Sequence, residues 1–190
     1  MKIDISVRKK AVYVGVMILL AYGVLVGSIT TSKIWIMIAD VISGLAVIGI
    51  AAIMYPFFKV AGEKISLSYL LLKILEGALM IIAGILFLNN SFQYFRDWIY
   101  NGIHLYTFIS SAFIFYYLLS KTKLVPKYIS IWGTFAIFAL STKTILSLFS
   151  LSFPVFDIML VLIITNEIFL AIWLMIKGFS LPAVKSKSVD

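Results

Sequence analysis

Cysteine is absent from this chain of 190 residues. Without a thiol there is no disulfide framework, no thiolate nucleophile and no cysteine-built metal or iron–sulfur site. Histidine occurs once, at His104. A catalytic zinc site ordinarily takes three protein ligands, so one histidine cannot build a His-rich one, and a monomer cannot hold a haem between two histidines. Charge is scarce as well: Asp, Glu, Lys and Arg make up 13% of the residues, where soluble domains carry about 25%. The chain also lacks HExxH, GxSxG, Walker A and GxGxxG patterns. No catalytic residue, metal site or cofactor is therefore assigned.

What is present is apolar. Hydrophobic residues account for 63% of the chain and aromatics for 15%, against roughly 45–50% apolar in soluble domains. A core of that size has almost no surface left to cover it, which excludes a soluble enzyme, a disordered tail and a secreted disulfide scaffold. The net charge of +8 does not point to nucleic acid. The basic residues sit at the ends of apolar runs and not on one polar face interleaved with aromatics.

Six apolar segments are long enough to cross a bilayer, which takes about 20 helical residues: 11–28, 34–57, 67–88, 102–120, 129–150 and 155–178. The expectation is an all-α, polytopic bundle of six transmembrane helices forming a single domain over 1–190, with tails at 1–10 and 179–190. The first segment follows Arg8, Lys9 and Lys10 as a signal peptide would. Its apolar run exceeds the roughly 7–15 residues of such a peptide and no small-residue cleavage site follows, so it reads as a retained helix. With the N-terminus inside, twelve Lys and Arg fall on the inner side, only Lys33 and Arg96 on the outer side, and Lys73 and Lys143 within spans. This asymmetry places both termini in the cytoplasm and the protein in the cytoplasmic membrane. The segment 89–101 gathers Phe92, Tyr94, Phe95, Trp98 and Tyr100 around Arg96 and Asp97. It reads as a short interfacial helix in an aromatic belt. Gly23 with Gly27, and Gly77 with Gly84, mark close helix contacts, and Pro56, Pro126 and Pro154 mark span ends.

The residues that cost most to place in hydrocarbon are Asp40, Lys73, Glu76, His104, Lys143, Asp157, Asn166 and Glu167. An ionised group at the bilayer centre costs roughly 2.5–3.5 kcal/mol on insertion scales, so such groups face the interior and take partners. At about 1.5 Å per residue, Glu76 and Glu167 lie about 18–20 Å below the outer ends of their spans, and Asp40 and Lys143 about 9–10 Å. His104 and Asp157 fall near the outer mouth. The simplest arrangement is a polar pocket open to the outside, with Glu76 and Glu167 as its acidic centre and Asp40, Lys143 and His104 along the approach. Lys73, Asn166 and Asp157 are secondary. The plainer alternatives are a local Lys73–Glu76 pair, an Asp40–Lys143 ion pair and acids that only specify packing. An inverted three-plus-three repeat is disfavoured, because Asp40 would map to the inner half of the fifth span while Lys143 lies in the outer half.

Several stretches resemble one family. They are "IADVISGLAVIGIAAIMYPFFK" around Asp40, "LLKILEGALMI" around Glu76, "HLYTFISSAFIFYYLLSKTKLVPKYISIWG" from His104 and "NEIFLAIWLMIKGF" with Glu167, Trp173, Lys177 and Gly178. The chain resembles the bacterial and archaeal membrane proteins grouped as domain of unknown function 4386. That resemblance implies an acid in the second span, a basic-x-x-Glu pair in the third with Lys73 where Arg is commoner, a His opening the fourth, and Glu…Lys-Gly closing the sixth. It carries no activity. The expected function is binding or transport of a small ligand, cation or lipid-like molecule. The alternatives are an intramembrane lipid-modifying enzyme and an accessory subunit. The bilayer is the expected surrounding and nucleic acid is not a partner; a partner protein or homo-oligomer is left open.

Overall fold

In a computed structural model, residues 5–151 and 154–180 are described, without the side chains of 26–27 and 154–160. All elements among them are helical: α1 (Ile5–Ala21), α2 (Lys33–Phe58), α3 (Glu63–Phe87), α4 (Gln93–Ile99), α5 (Leu105–Thr122), α6 (Lys127–Leu148) and α7 (Pro154–Ile176). α1 starts earlier than its apolar run, taking in Arg8–Lys10, and tightens to a 3-10 turn over Tyr22–Ser28. α2 exceeds its predicted span by one residue at each end, Lys33 and Phe58, while α3 starts four residues early, at Glu63, and ends one residue early, at Phe87. Four helical stretches, Lys33–Ala61, Glu63–Phe87, Asn90–Thr122 and Lys127–Leu148, are long and apolar enough to cross a membrane.

The distribution of polarity is the reverse of a soluble protein's. Trp35, Leu71, Ile85, Phe135 and Phe138 are exposed on the outside of the bundle, while Asp40, Ser43, Glu76, Ser111 and Asn166 are buried within it. Apolar side chains facing outward suit lipid, and the polar groups turn inward to partners. Helical hydroxyls are satisfied on the preceding turn, as with Thr107 on the Ile103 carbonyl and Thr144 on the Leu140 carbonyl.

Six helices close into a ring in chain order. α1 packs on α2, α2 on α3, α3 on α5, α5 on α6 and α6 on α7, and α7 returns to α1. Short connections make sequential helices neighbours, and small residues set how closely they cross. The α2–α3 interface is the largest. There Gly44 faces Gly77, and a Cβ on either would lie 2.5 Å from the other's carbonyl oxygen. At the α1–α7 closure a Cβ on Gly15 would meet the Ala171 carbonyl at 2.6 Å. Lipid supplies no hydrophobic drive for helix association, so contacts of this kind carry it.

The ring has two distinct ends. At one, Ser180 N–H bonds the Leu124 carbonyl, the Phe179 and Phe57 rings meet at 4.8 Å, and Lys10 lies over Phe57. This basic end also carries Lys59, Lys64, Lys121, Lys123, Lys127 and Lys177. At the other, aromatic end, α4 packs against α3 and continues into α5 through a wide turn at Tyr100–His104, kinked at Gly102 (φ −107°, ψ −110°). A short helix is present where one was expected near 89–101, as α4.

Candidate functional site

The ring encloses a cavity of about 300 Å³. Its walls are mainly apolar, with Val47, Ile50, Phe108, Phe115, Leu140 and Ile163 among the lining residues. Into this setting come Tyr22, Tyr69, Lys73, Glu76, His104 and Glu167. Apolar walls with a few converging polar groups are the usual make-up of a small-molecule site, and about 300 Å³ is the low end of such pockets. Towards the basic end the interior is filled by Phe58, Tyr69 and Phe115, whose rings lie 5.3–5.8 Å apart. The lining residues of α1, Ile18 and Ala21, belong to its last turns, and His104 and Leu105 open α5. The cavity therefore lies in the middle and the aromatic half of the ring.

Lys73 and Glu76 form the local pair their spacing predicts, with Nζ donating to Oε1 at 3.0 Å. Lys73 also lies 5.3 Å over the Phe108 ring. The second carboxylate oxygen of Glu76, Oε2, takes the Ser111 hydroxyl at 2.8 Å, so Glu76 is 2% exposed yet fully engaged. Glu167 reaches the cavity from α7, where Tyr22 donates to its Oε2 at 2.8 Å. The two mid-helix acids therefore share one lining, as their common depth implies. His104, two residues after the Gly102 kink, also lines the cavity; its ring rests edge-on to Tyr100 at 4.9 Å, and its buried Nε2 has no hydrogen-bond partner. The Tyr69 hydroxyl is likewise buried and unpartnered. Among the described residues no three His, Asp or Glu converge as a metal ion would require.

Asp40 and Lys143 do not line the cavity, and Asp40 is not paired with Lys143. Its carboxylate, fully buried, receives Arg96 in a two-pronged bond: Nε to Oδ2 at 2.7 Å and Nη2 to Oδ1 at 3.0 Å. Tyr100 adds a hydroxyl donor to Oδ1 at 3.0 Å. The guanidinium is also stacked near the Phe87 and Tyr100 rings. The depth match between Asp40 and Lys143 misleads because an arginine side chain reaches down from the interface. Asp40 thus anchors α4 and the kinked turn across the aromatic end, next to His104. Asn166 is equally structural: it accepts from Tyr116 at 2.8 Å and donates to the Ile129 carbonyl at 3.0 Å. The side chain of Asp157 lies outside the described residues. Arg96, Ser111, Tyr22 and Tyr69 are the site residues that hydropathy did not single out.

The family described as Domain of unknown function (DUF4386) matches residues 86–178. The matched range holds Arg96, Tyr100, His104, Ser111 and Glu167, while Asp40 and the Lys73–Glu76 pair lie before it. No curated protein and no solved structure matches the chain. The C-terminal half of the chain, from the end of α3 to the end of α7, is thus a match to the DUF4386 family that the sequence resembles.

Proposed function

We propose that the chain is a single-domain, six-span protein of the cytoplasmic membrane, with both termini in the cytoplasm, that binds a small ligand in its central cavity. The observation that carries the reading is the convergence of Glu76 and Glu167, from opposite parts of the ring, on one largely apolar cavity. Carboxylates at that depth are costly unless they serve a partner or a ligand. The six-span reading is supported by the closed ring, in which α1 and α7 are full members. α7 has 23 residues, enough at about 1.5 Å each to cross the hydrocarbon. The cytoplasmic placement of the termini rests on the concentration of lysine and arginine at one end. The site opens towards the outside on this reading, because the cavity lies nearer the aromatic end and the Phe58, Tyr69 and Phe115 rings fill the interior beneath it.

Binding alone, or binding as one step of transport, uses the same site. An accessory role is favoured by one observation, the internal hydrogen bonding of Asp40 and Asn166, as polar groups that serve packing would have. Native mass spectrometry of the purified chain beside Glu76→Gln/Glu167→Gln decides between them. A small molecule retained by the wild type and lost by the variant is the expected result. An empty wild-type cavity, with the variant equally folded, refutes ligand binding.

A further inference from the structure

The polar groups of the cavity differ in how far they are satisfied, and the difference has a sign. Glu76 is balanced: Lys73 holds one oxygen and Ser111 the other. Lys73 in turn spends its charge on Glu76 and on the Phe108 face. The pair contributes no net charge to the lining. Glu167 is different. Only its Oε2 receives a hydrogen bond, from Tyr22, and among the described residues no cation pairs with it. Two further groups on the same lining lack partners, the Tyr69 hydroxyl and His104 Nε2. Tyr69 is fully buried.

An unsatisfied buried polar group costs roughly 1–3 kcal/mol, more when charged. The three open positions are all capable of accepting: a carboxylate oxygen, a hydroxyl oxygen and an imidazole nitrogen. A primary ammonium supplies three donors and one positive charge. Around these groups lie the faces and edges of Phe108, Phe115 and Tyr69, together with aliphatic walls from Val47, Ile50 and Ile163. Such surroundings accept an apolar body and attract a cation through ring quadrupoles.

Resting on the cavity reading above, we infer that the ligand is a small organic amine in its protonated form, with its ammonium on Glu167 and an apolar body against Phe108 and Phe115. An anionic ligand is disfavoured because the one lysine on the lining is already matched by Glu76. A bare metal ion is disfavoured because the carboxylates and His104 do not converge on one point.

The test uses the full chain in detergent micelles and three probes of one shape: 2-phenylethylamine, neutral 2-phenylethanol and anionic phenylacetate, titrated by calorimetry near neutral pH. Hydrogen bonds to a charged group are roughly twice as strong as neutral ones. The wild type is expected to bind the amine at least about tenfold more tightly than the alcohol, which is about 1.4 kcal/mol. Glu167→Gln is expected to abolish that preference and Glu167→Asp to keep it. Equal binding of amine and alcohol by the wild type overturns the inference while leaving the cavity as a ligand site. Preference for phenylacetate also overturns it, moving the head group to Lys73. A preference that survives in Glu167→Gln refutes the assignment of the charge to Glu167. Silence of all three probes overturns the amine, and the cavity reading falls with it only if the wild-type mass spectrum is also empty.

Discussion

The Asp40–Arg96 pair allows a sharp energetic prediction, because its two members are unequally able to escape. Asp40 is fully buried seven residues into α2, and its Cβ lies so close to α3 that a Cβ on Gly84 would come within 2.7 Å of it. It has nowhere to move. The Arg96 side chain is 13% exposed at the aromatic end, and its long stem can carry the guanidinium back to the interface. Arg96→Met therefore strands a buried carboxylate with only the Tyr100 hydroxyl, and loss of one partner of a buried pair costs about 3–5 kcal/mol. Asp40→Asn keeps the volume that Gly84 requires and lets Arg96 withdraw, so its cost is nearer the 1.5–3 kcal/mol or so of a hydrogen bond to a charged group. The double variant Asp40→Asn/Arg96→Met removes the stranded charge and should be more stable than Arg96→Met alone by at least about 1 kcal/mol, a coupling within the range of contacting residues. Reversible unfolding by SDS titration, followed by tryptophan fluorescence, measures all three. Trp98, two residues from Arg96 on α4 and exposed, provides a second readout: its emission should shift to the red in Arg96→Met as α4 lifts from the bundle. If the double variant is as unstable as the sum of the singles, Arg96 does not offset the burial of Asp40, and the anchoring role assigned to the pair is wrong.

Two further outcomes are expected. Gly44→Ala should cost about 1–3 kcal/mol in the same titration, because its Cβ meets the Gly77 backbone at 2.5 Å and backbone cannot yield. Gly49→Ala, whose nearest obstacle is the flexible tip of Met17 at 2.8 Å, should cost less than about 1 kcal/mol; equal costs would show that the α2–α3 crossing is not the rigid one. The cysteine-free sequence also permits clean single-cysteine topology mapping on intact cells. An impermeant maleimide should label Trp98→Cys and spare Lys9→Cys and Lys123→Cys, and labelling of Lys123→Cys from outside would reverse the orientation.

Depth in this fold is legible from sequence and azimuth is not. A helix rises about 1.5 Å per residue whatever its neighbours, so counting along the spans is enough to set Glu76 and Glu167 at one level and to match Lys73 to Glu76 on its own helix. Helix limits follow from the same apolar runs, with errors where polar ends continue the helix, as at Arg8–Lys10. Which way a side chain points around the axis is another matter. These helices are apolar nearly all round, so no stripe marks the interior face. The tyrosine that meets Glu167, the serine that meets Glu76 and the arginine that meets Asp40 all come from other helices and escape a reading by spacing. One signal could have found the last of them. A basic residue away from the basic end runs against the charge asymmetry of the chain, and Lys33 and Arg96 are two of them. Both are engaged: Lys33 donates to Asn90 at the start of the α4 segment, and Arg96 reaches Asp40. A positive charge kept at the aromatic end is therefore best read as one half of a polar pair, whose other half is Asn90 for Lys33 and the buried Asp40 for Arg96.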